Sequence, residues 1–385
     1  MSLNRHHPDR RSNHSSRFSQ KLNVRFAIAS DLHIGLPHTL WEHPSRFHLI
    51  EVSIPAFEQV LEQISRLDLD FLLLPGDLTQ HGERENHAWL RDRLSQLPFP
   101  TYVIPGNHDI VTPQGDRLRI GPEEFATIYA QFGYAAIAGP GRCDYSLSPL
   151  PGLRLIGLNS NQFDRTERIV GRLGQEQLNW LEQELIAAQD ERVWIMIHHN
   201  VIEHMPGQAR HPLGHKYILR NGPRFRSLLK QYGVSLIFTG HLHIQDLSRD
   251  GELYELTTGS LVSYPHPYRL LQFQAADGVA TLHYESFRVA AVEGWADLQD
   301  YSRRWMGDRS QGFMEHLLLA SPLNLSPAMA AELAPELREF WADIAEGDRL
   351  FDFVQLPKQV RSYFESFGAV DGAIDNSGCL TWQER

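Results

Sequence analysis

Five short apolar runs along the chain each end in residues of metal-binding type. Phe26-Ala-Ile-Ala-Ser30 leads into Asp31-Leu32-His33, Phe71-Leu-Leu-Leu-Pro75 into Gly76-Asp77, and Thr101-Tyr-Val-Ile-Pro105 into Gly106-Asn107-His108-Asp109. Val193-Trp-Ile-Met-Ile197 leads into His198-His199, and Ser235-Leu-Ile-Phe-Thr239 into Gly240-His241-Leu242-His243. Runs of this length, bounded by Gly, Pro or polar residues, read as buried strands. Between them lie stretches of helical period. Ile54 to Leu67 carries Ile54, Phe57, Val60, Leu61 and Ile64 on one face, and Glu123 to Phe132 and Gln175 to Ala188 repeat the spacing. Alternating strands and helices from about residue 24 to 245 predict βαβ units with right-handed crossovers.

The pattern then changes. Leu253 to Leu256, Arg269 to Gln274 and Val279 to Phe287 read as strands with no helix between them, and Asp277-Gly278 is a hairpin signal. A second, largely antiparallel set of strands therefore follows the first. Beyond residue 290 the candidates are helices: Leu298 to Met306, Gly312 to Leu319, Pro327 to Ile344 and Pro357 to Phe367, punctuated by Pro322, Pro327 and Pro335. The predicted fold class is α/β: a four-layer α/β/β/α sandwich of two facing mixed sheets with a C-terminal helical appendage. The expected division is a disordered tail over 1–23, a main domain over 24–288 and a helical extension over 289–385.

Composition narrows the function classes. With 42% hydrophobic and 22% charged residues in 385, most of the chain can bury a core. A net charge of -11 argues against a nucleic-acid partner or an anionic membrane surface, both of which call for a basic face. Two cysteines, Cys143 and Cys379, make no disulfide framework, which fits a cytoplasmic location. No apolar stretch approaches the roughly 18 residues of a membrane span. The polar N-terminal stretch reads as a tail, and His6-His7 within it as solvated.

In α/β sheets, ligands bind beyond the carboxyl ends of the strands. Asp31 and His33 are two residues apart, so on an extended backbone both side chains point one way. Asp77 offers two oxygens and can bridge two ions. Asn107 adds an amide oxygen, and His198, His241 and His243 add imidazoles. Mixed oxygen and nitrogen ligands suit divalent transition ions such as Mn, Fe or Zn, and the number of ligands points to two of them, roughly 3.5–4 Å apart. Two such ions, less the charges of Asp31, Asp77 and a bridging hydroxide, leave one positive charge. That favours an anionic ester and its more highly charged transition state.

These blocks, Asp31-x-His33, Gly76-Asp77, Gly106-Asn107-His108-Asp109, His198 and Gly240-His241-x-His243, resemble the signature of the calcineurin-like metallophosphoesterases, in family order, over roughly residues 24 to 287. The resemblance implies that Asp31, His33, Asp77 and His243 hold one metal, and that Asp77, Asn107, His198 and His241 hold the other. It implies that His108 faces the substrate and assists the leaving oxygen, with Asp109 orienting it. Protein serine/threonine phosphatases carry an arginine in the second block, which is absent here, and purple acid phosphatases carry a tyrosine ligand where Gln80 stands. Gly76-Asp77-Leu-Thr-x-x-Gly82 is most similar to class III cyclic-nucleotide phosphodiesterases and glycerophosphodiesterases. The Pro-Pro usual after the paired histidines is replaced by Asn200-Val201.

The expected function is therefore hydrolysis of a small phosphodiester, a cyclic nucleotide foremost, by a metal-bridging hydroxide. The alternatives are a metal-dependent nuclease or phosphomonoesterase of the same superfamily, and a metal-bearing scaffold without catalysis. The oligomeric state is open, a homodimer being one alternative. Among lesser candidates, His199 reads as support for the site, and His38, His43 and His48 as loop packing. Tyr264-Pro-His266-Pro-Tyr268 reads as a turn rather than a base-stacking segment.

Overall fold

The structure, a computed structural model, describes residues 18, 20–41, 46–135, 142–166, 168–211, 214–368 and 375–384. Most of the expected tail, together with His6, His7 and His43, lies outside the described residues. Leu22 and Asn23, placed in the tail from sequence, already belong to the first strand.

Fourteen strands are present among the described residues: β1 (Leu22–Ile28), β2 (Phe71–Leu74), β3 (Thr101–Val103), β4 (Tyr145–Leu150), β5 (Leu153–Leu158), β6 (Asn161–Phe163), β7 (Ile169–Gly171), β8 (Arg192–Ile197), β9 (Leu236–Thr239), β10 (Asp246–Asp250), β11 (Leu253–Thr257), β12 (Pro267–Ala276), β13 (Val279–Arg288) and β14 (Ser377–Gln383). They form two six-stranded sheets, ordered β14-β13-β12-β1-β2-β3 and β10-β11-β9-β8-β5-β4, and a β6-β7 ribbon. The inner strands β1-β2-β3 and β5-β8-β9-β11 run parallel, and antiparallel strands flank them.

Helices α1 (Ser53–Ile64) and α2 (Arg84–Leu94) cross over between parallel strands of the first sheet. After α3 (Pro122–Ile128), helices α4 (Gln175–Ala187) and α5 (Gly222–Gln231) do the same for the second. Between the sheets an aromatic layer interlocks. The Phe26 ring lies 5.0 Å from Trp194 and 5.3 Å from Phe71, and Trp194 lies 5.1 Å from Phe273. Offset and edge-on contacts of this kind add to area burial. The predicted four-layer sandwich is the observed one. The Asp277-Gly278 hairpin holds as well, with φ of 55° and 80°, both left-handed as its tight turn requires.

The C-terminal region differs from expectation in three ways. Leu298 to Leu319 is one unbroken helix, α6, since nothing between Met306 and Gly312 breaks it. The helix expected over Pro327 to Ile344 is instead two, α7 (Pro327–Leu333) and α8 (Phe340–Glu346), separated by a 3-10 turn at Pro335, and α9 (Lys358–Glu365) follows. The chain also does not stay helical to its end. β14 adds to the edge of the first sheet beside β13, from Val279↔Gln383 to Glu285↔Ser377. Its Ser-Gly-Cys-Leu-Thr-Trp-Gln sequence has too little apolar alternation to announce a strand. The β4-β5 hairpin was also not expected.

Next to β14, Glu384 forms a bidentate pair with Arg192 of β8, at 2.5 and 2.7 Å, both side chains being almost wholly buried. Arg192 also donates to the Gln20 carbonyl at 2.8 Å. One guanidinium thus ties the two sheets together at the start of β8, at the opposite end of that strand from His198. Glu384→Ala leaves a buried cation unpaired, a loss of about 3–5 kcal/mol. Urea denaturation is expected to show that loss while metal affinity stays at the wild-type value; a parallel fall in metal affinity would contradict the separation.

Candidate metal centre

All seven residues predicted as ligands converge where the parallel strands of both sheets end. The first sheet delivers Asp31 and His33 after β1, Asp77 after β2 and Asn107 after β3. The second delivers His198 after β8 and His241 and His243 after β9. Ligand-type atoms of Asp31, His33, Asp77 and His243 lie within 4.8 Å of one another, and so do those of Asp77, His198 and His241. Asp77 is common to both groups.

The backbone reaches this arrangement differently from the extended form read from sequence. Asp31, His33, Asp77, His241 and His243 all have positive φ, between 43° and 69°. Left-handed backbone at a non-glycine residue costs of order 1–3 kcal/mol and persists where surroundings over-determine it. The surroundings here are specific. A Cβ at Gly106 would come within 2.1 Å of Asp77 Oδ1, and one at Gly240 within 2.4 Å of Asp31 Oδ2. The glycines of the motifs are therefore where main chain and carboxylate share space.

Hydrogen bonds aim Asp31, His198 and His241. Asp31 accepts from Ser30 Oγ at 2.5 Å and from the His241 amide at 3.1 Å. His198 Nδ1 donates to the Pro75 carbonyl at 2.8 Å, which leaves Nε2 3.2 Å from Asn107 Oδ1 and 3.3 Å from Asp77 Oδ2. His241 Nε2 meets the Lys216 carbonyl at 3.3 Å, leaving Nδ1 to the cluster. His243 Nε2 is 3.0 Å from Asp31 Oδ1. Both ring nitrogens of His33 are buried without a hydrogen-bond partner. An orphaned buried imidazole among carboxylates is what a cation ligand looks like before the cation binds.

Electrostatics agree. Burial, with His48 and His108 beside it, holds His33 well below the ordinary imidazole range, in the neutral form a metal needs. Burial works against ionising Asp77, but His198 and His108 outweigh it and hold the carboxyl well below its usual value. Burial likewise pulls His198 down, yet the Asp77 charge lifts it to about 9. A bound cation would compete with that proton for the same lone pair.

The structure sends Asp109 elsewhere than expected. It does not orient His108, whose Nδ1 meets the Gln80 carbonyl at 2.7 Å. Its carboxylate accepts instead from the amides of Gly106, Leu78 and Thr79 at 2.8, 3.0 and 2.9 Å. Asp109 therefore fixes the loop that carries Asp77 relative to the loop that carries Asn107. His199 is buried behind His241, at 4.3 Å between rings, with Nδ1 2.8 Å from Ser160 Oγ, a supporting role as expected. His38 pairs with Glu85 at the surface. His266 is buried with Nδ1 on the Leu261 carbonyl, so the Tyr264–Tyr268 segment is a packed turn.

Two features were not legible as functional. His48, read as loop packing, stacks on His33 at 4.4 Å. The substitution of Asn200-Val201 for Pro-Pro has a structural counterpart in Glu255 on β11. The Glu255 carboxylate accepts from the Val201 and Ile202 amides at 2.9 and 2.6 Å and from Asn200 Nδ2 at 3.1 Å. Proline at those positions would have no N–H to donate. A lone carboxylate inside the apolar run of β11 was the available signal. His204, its side chain buried, faces Glu255 at 3.1 Å and Asp246 at 2.5 Å. Burial lowers its pKa, and the two carboxylates override that and raise it to about 10.

Because the folded pKa of His204 lies above the unfolded one, its stabilising effect is complete below about pH 6.5. It is lost as pH rises through about 10. His204→Gln is expected to lower the unfolding free energy strongly near pH ~6 and little near pH ~10.5. Urea titrations at the two pH values check this, and equal losses at both would mean that the pair is not ionic.

Comparison with known proteins agrees with this geometry. A "Probable cyclic nucleotide phosphodiesterase" of Synechococcus is 30% identical over 194 residues, covering 50% of this chain and 65% of the relative. A "Probable glycerophosphodiester phosphodiesterase GpdQ" of Arcobacter nitrofigilis is 28% identical over 50% of this chain and 63% of the relative. A 3',5'-cyclic-nucleotide phosphodiesterase of Nostoc is 25% identical over 58% of this chain and 73% of the relative. The chain thus spans less than two-thirds of the first two relatives. The Calcineurin-like phosphoesterase family profile matches residues 24–245, more than half of the chain and the whole stretch that carries the converging ligands, and the chain belongs to that family.

Proposed function

We propose that the protein hydrolyses small phosphodiesters, cyclic nucleotides foremost, at a pair of divalent transition ions. The observation that carries this reading is Asp77, shared between two groups of side chains whose ligand atoms lie within 4.8 Å of one another. The names of the relatives support the substrate class. Asp31, His33, Asp77 and His243 would hold one ion, and Asp77, Asn107, His198 and His241 the other. Such ions, when bound, supply Lewis acidity and lower the pKa of water to near neutrality.

The chain's own residues do the rest. Asn107 is neutral, so it adds an oxygen without spending the positive charge that attracts the ester. The His108 amide donates to Asp77 Oδ1 at 2.7 Å, which fixes the half-exposed ring next to the cluster, 4.7 Å from His33. With Nδ1 donating to the Gln80 carbonyl, Nε2 faces outward and, when protonated, can donate to a leaving oxygen. His81, 6.2 Å from His108, and Trp41, 6.0 Å further on, extend this wall with rings on which an apolar leaving group can rest. A cytosolic setting belongs to the same reading, in keeping with free Cys143 and Cys379. Among the described residues no helix is long and apolar enough to cross a membrane.

Two variants test the reading. Asp77→Asn is expected to lose more metal than Asn107→Ala, because it weakens both positions and removes a charge. Calorimetric titration of Mn into each apo variant measures the order, and equal affinities would contradict a bridging role. His108→Ala is expected to keep its metal and to lose about 10²–10⁴ in kcat on a diester with an alkyl leaving group. It should lose less on a nitrophenyl diester, whose leaving group needs no proton. Equal losses on both substrates would move His108 from the leaving oxygen to the phosphoryl oxygens.

A further inference from the structure

His48 lies among the metal-site residues without belonging to the ligand set that the family resemblance supplies. Its ring is 4.4 Å from His33, 4.6 Å from His243 and 6.1 Å from His108. It therefore sits against the first cluster, with His108 nearby. The His33 and His48 planes are stacked, 25° apart. A ring nitrogen offers its lone pair in the plane of the ring. Ligand-type nitrogens of His33, His48 and His243 do lie within 4.8 Å of one another. An ion held by His33 lies in the plane of His33, however, and a ring stacked within 25° of that plane is poorly aimed at the same ion. The stacking makes His48 a roof to the cluster rather than one more ligand.

Its orientation is set from behind. Nδ1 lies 3.4 Å from Ser263 Oγ. A hydroxyl donating there leaves the proton on Nε2. The neighbouring residues are gripped by the C-terminal helices. Arg46 is buried, pairs with Glu51 at 2.6 Å and lies 5.6 Å from the Trp305 ring of α6. Phe47 packs with Tyr264, Met306 of α6 and Ala342 of α8, and its ring is 6.3 Å from Phe313 of α6. The Leu49 amide donates to the Val262 carbonyl at 2.7 Å. No member of this brace carries metal-site chemistry, yet each one bears on where His48 stands.

We propose that His48 contacts the phosphate group of the substrate, donating from Nε2 to an anionic oxygen, and that α6 and α8 hold it in place. The helical C-terminal region is then part of the binding site without touching the substrate. This rests on the phosphodiesterase reading above. A hydrogen bond to a charged group contributes about 1.5–3 kcal/mol, so its loss weakens phosphate binding by roughly tenfold or more.

The experiment uses the Mn-loaded, full-length protein and inorganic phosphate as probe. Metal content is read by elemental analysis, phosphate affinity by calorimetry, and kcat and KM on a nitrophenyl diester. His48→Ala is expected to keep the wild-type metal content, to bind phosphate at least about tenfold more weakly, and to raise KM more than it lowers kcat. Trp305→Ala, outside the site, should weaken phosphate binding in the same direction, and the double variant should lose less than the sum of the two. Phe47→Ala gives the same reading should Trp305→Ala not fold. Loss of metal from His48→Ala would make it a ligand and overturn the proposal, and so would an unchanged phosphate affinity. Additive losses would overturn the role of the helices. Wild-type protein that took up neither metal nor phosphate would overturn the hydrolase reading along with it.

Discussion

A buried carboxylate is the constraint around which this molecule is arranged. Asp77 is 1% exposed, and an ion so placed is stable only where opposite charge and hydrogen bonds replace its water. Its oxygens face His198 at 3.3 Å, His33 at 3.8 Å and the His108 amide at 2.7 Å. Those partners come from β1, β3 and β8, on both sheets, so neither sheet alone satisfies Asp77. The aromatic layer between the sheets brings the two sets of strand ends together. The strained turns at the strand ends then carry side chains the last few ångströms.

The supporting shell consists mostly of groups that touch no cation position. Asp109 binds the two amides that follow Asp77 and the one that precedes Asn107. Glu255 does the same for the segment after His199, with its own charge answered by His204. Both are carboxylates spent on backbone N–H groups, in regions where loops would otherwise bury unpaired amides. Two such clamps, one on each sheet, explain how loops that carry strained residues can still hold a fixed geometry.

The elements most legible in the sequence were those whose signal is local. An apolar run stopped by Asp, Asn or His, with or without a Gly before it, is visible within eight residues, and all five such runs became strands that deliver their ligands to one place. The helices Ser53–Ile64 and Gln175–Ala187 fell within a few residues of their expected limits. What could not be read was tertiary. The turn at Asp31 and His33 is left-handed, and the Asp31 carboxylate packs where Gly240, some two hundred residues away in the chain, leaves room for it. His48 looks like any loop histidine until Trp305 and Phe313 are brought against its neighbours. β14 carries little pattern of its own, and its identity as a strand depends on the open edge of β13.

That edge has a consequence for how the chain is made. β13 is complete at Arg288, but its partner does not begin until Ser377, after four helices. A chain emerging from the ribosome therefore presents β13 with a free row of N–H and C=O groups until almost ninety more residues have followed. Free strand edges of this kind are templates for pairing with other chains. Long-range closures are also slow to form. The staple between Arg192 and Glu384 can close only after β14 has followed. Loss of β14 would leave the ligand loops untouched in sequence and expose an aggregation-prone edge on the far side of the molecule.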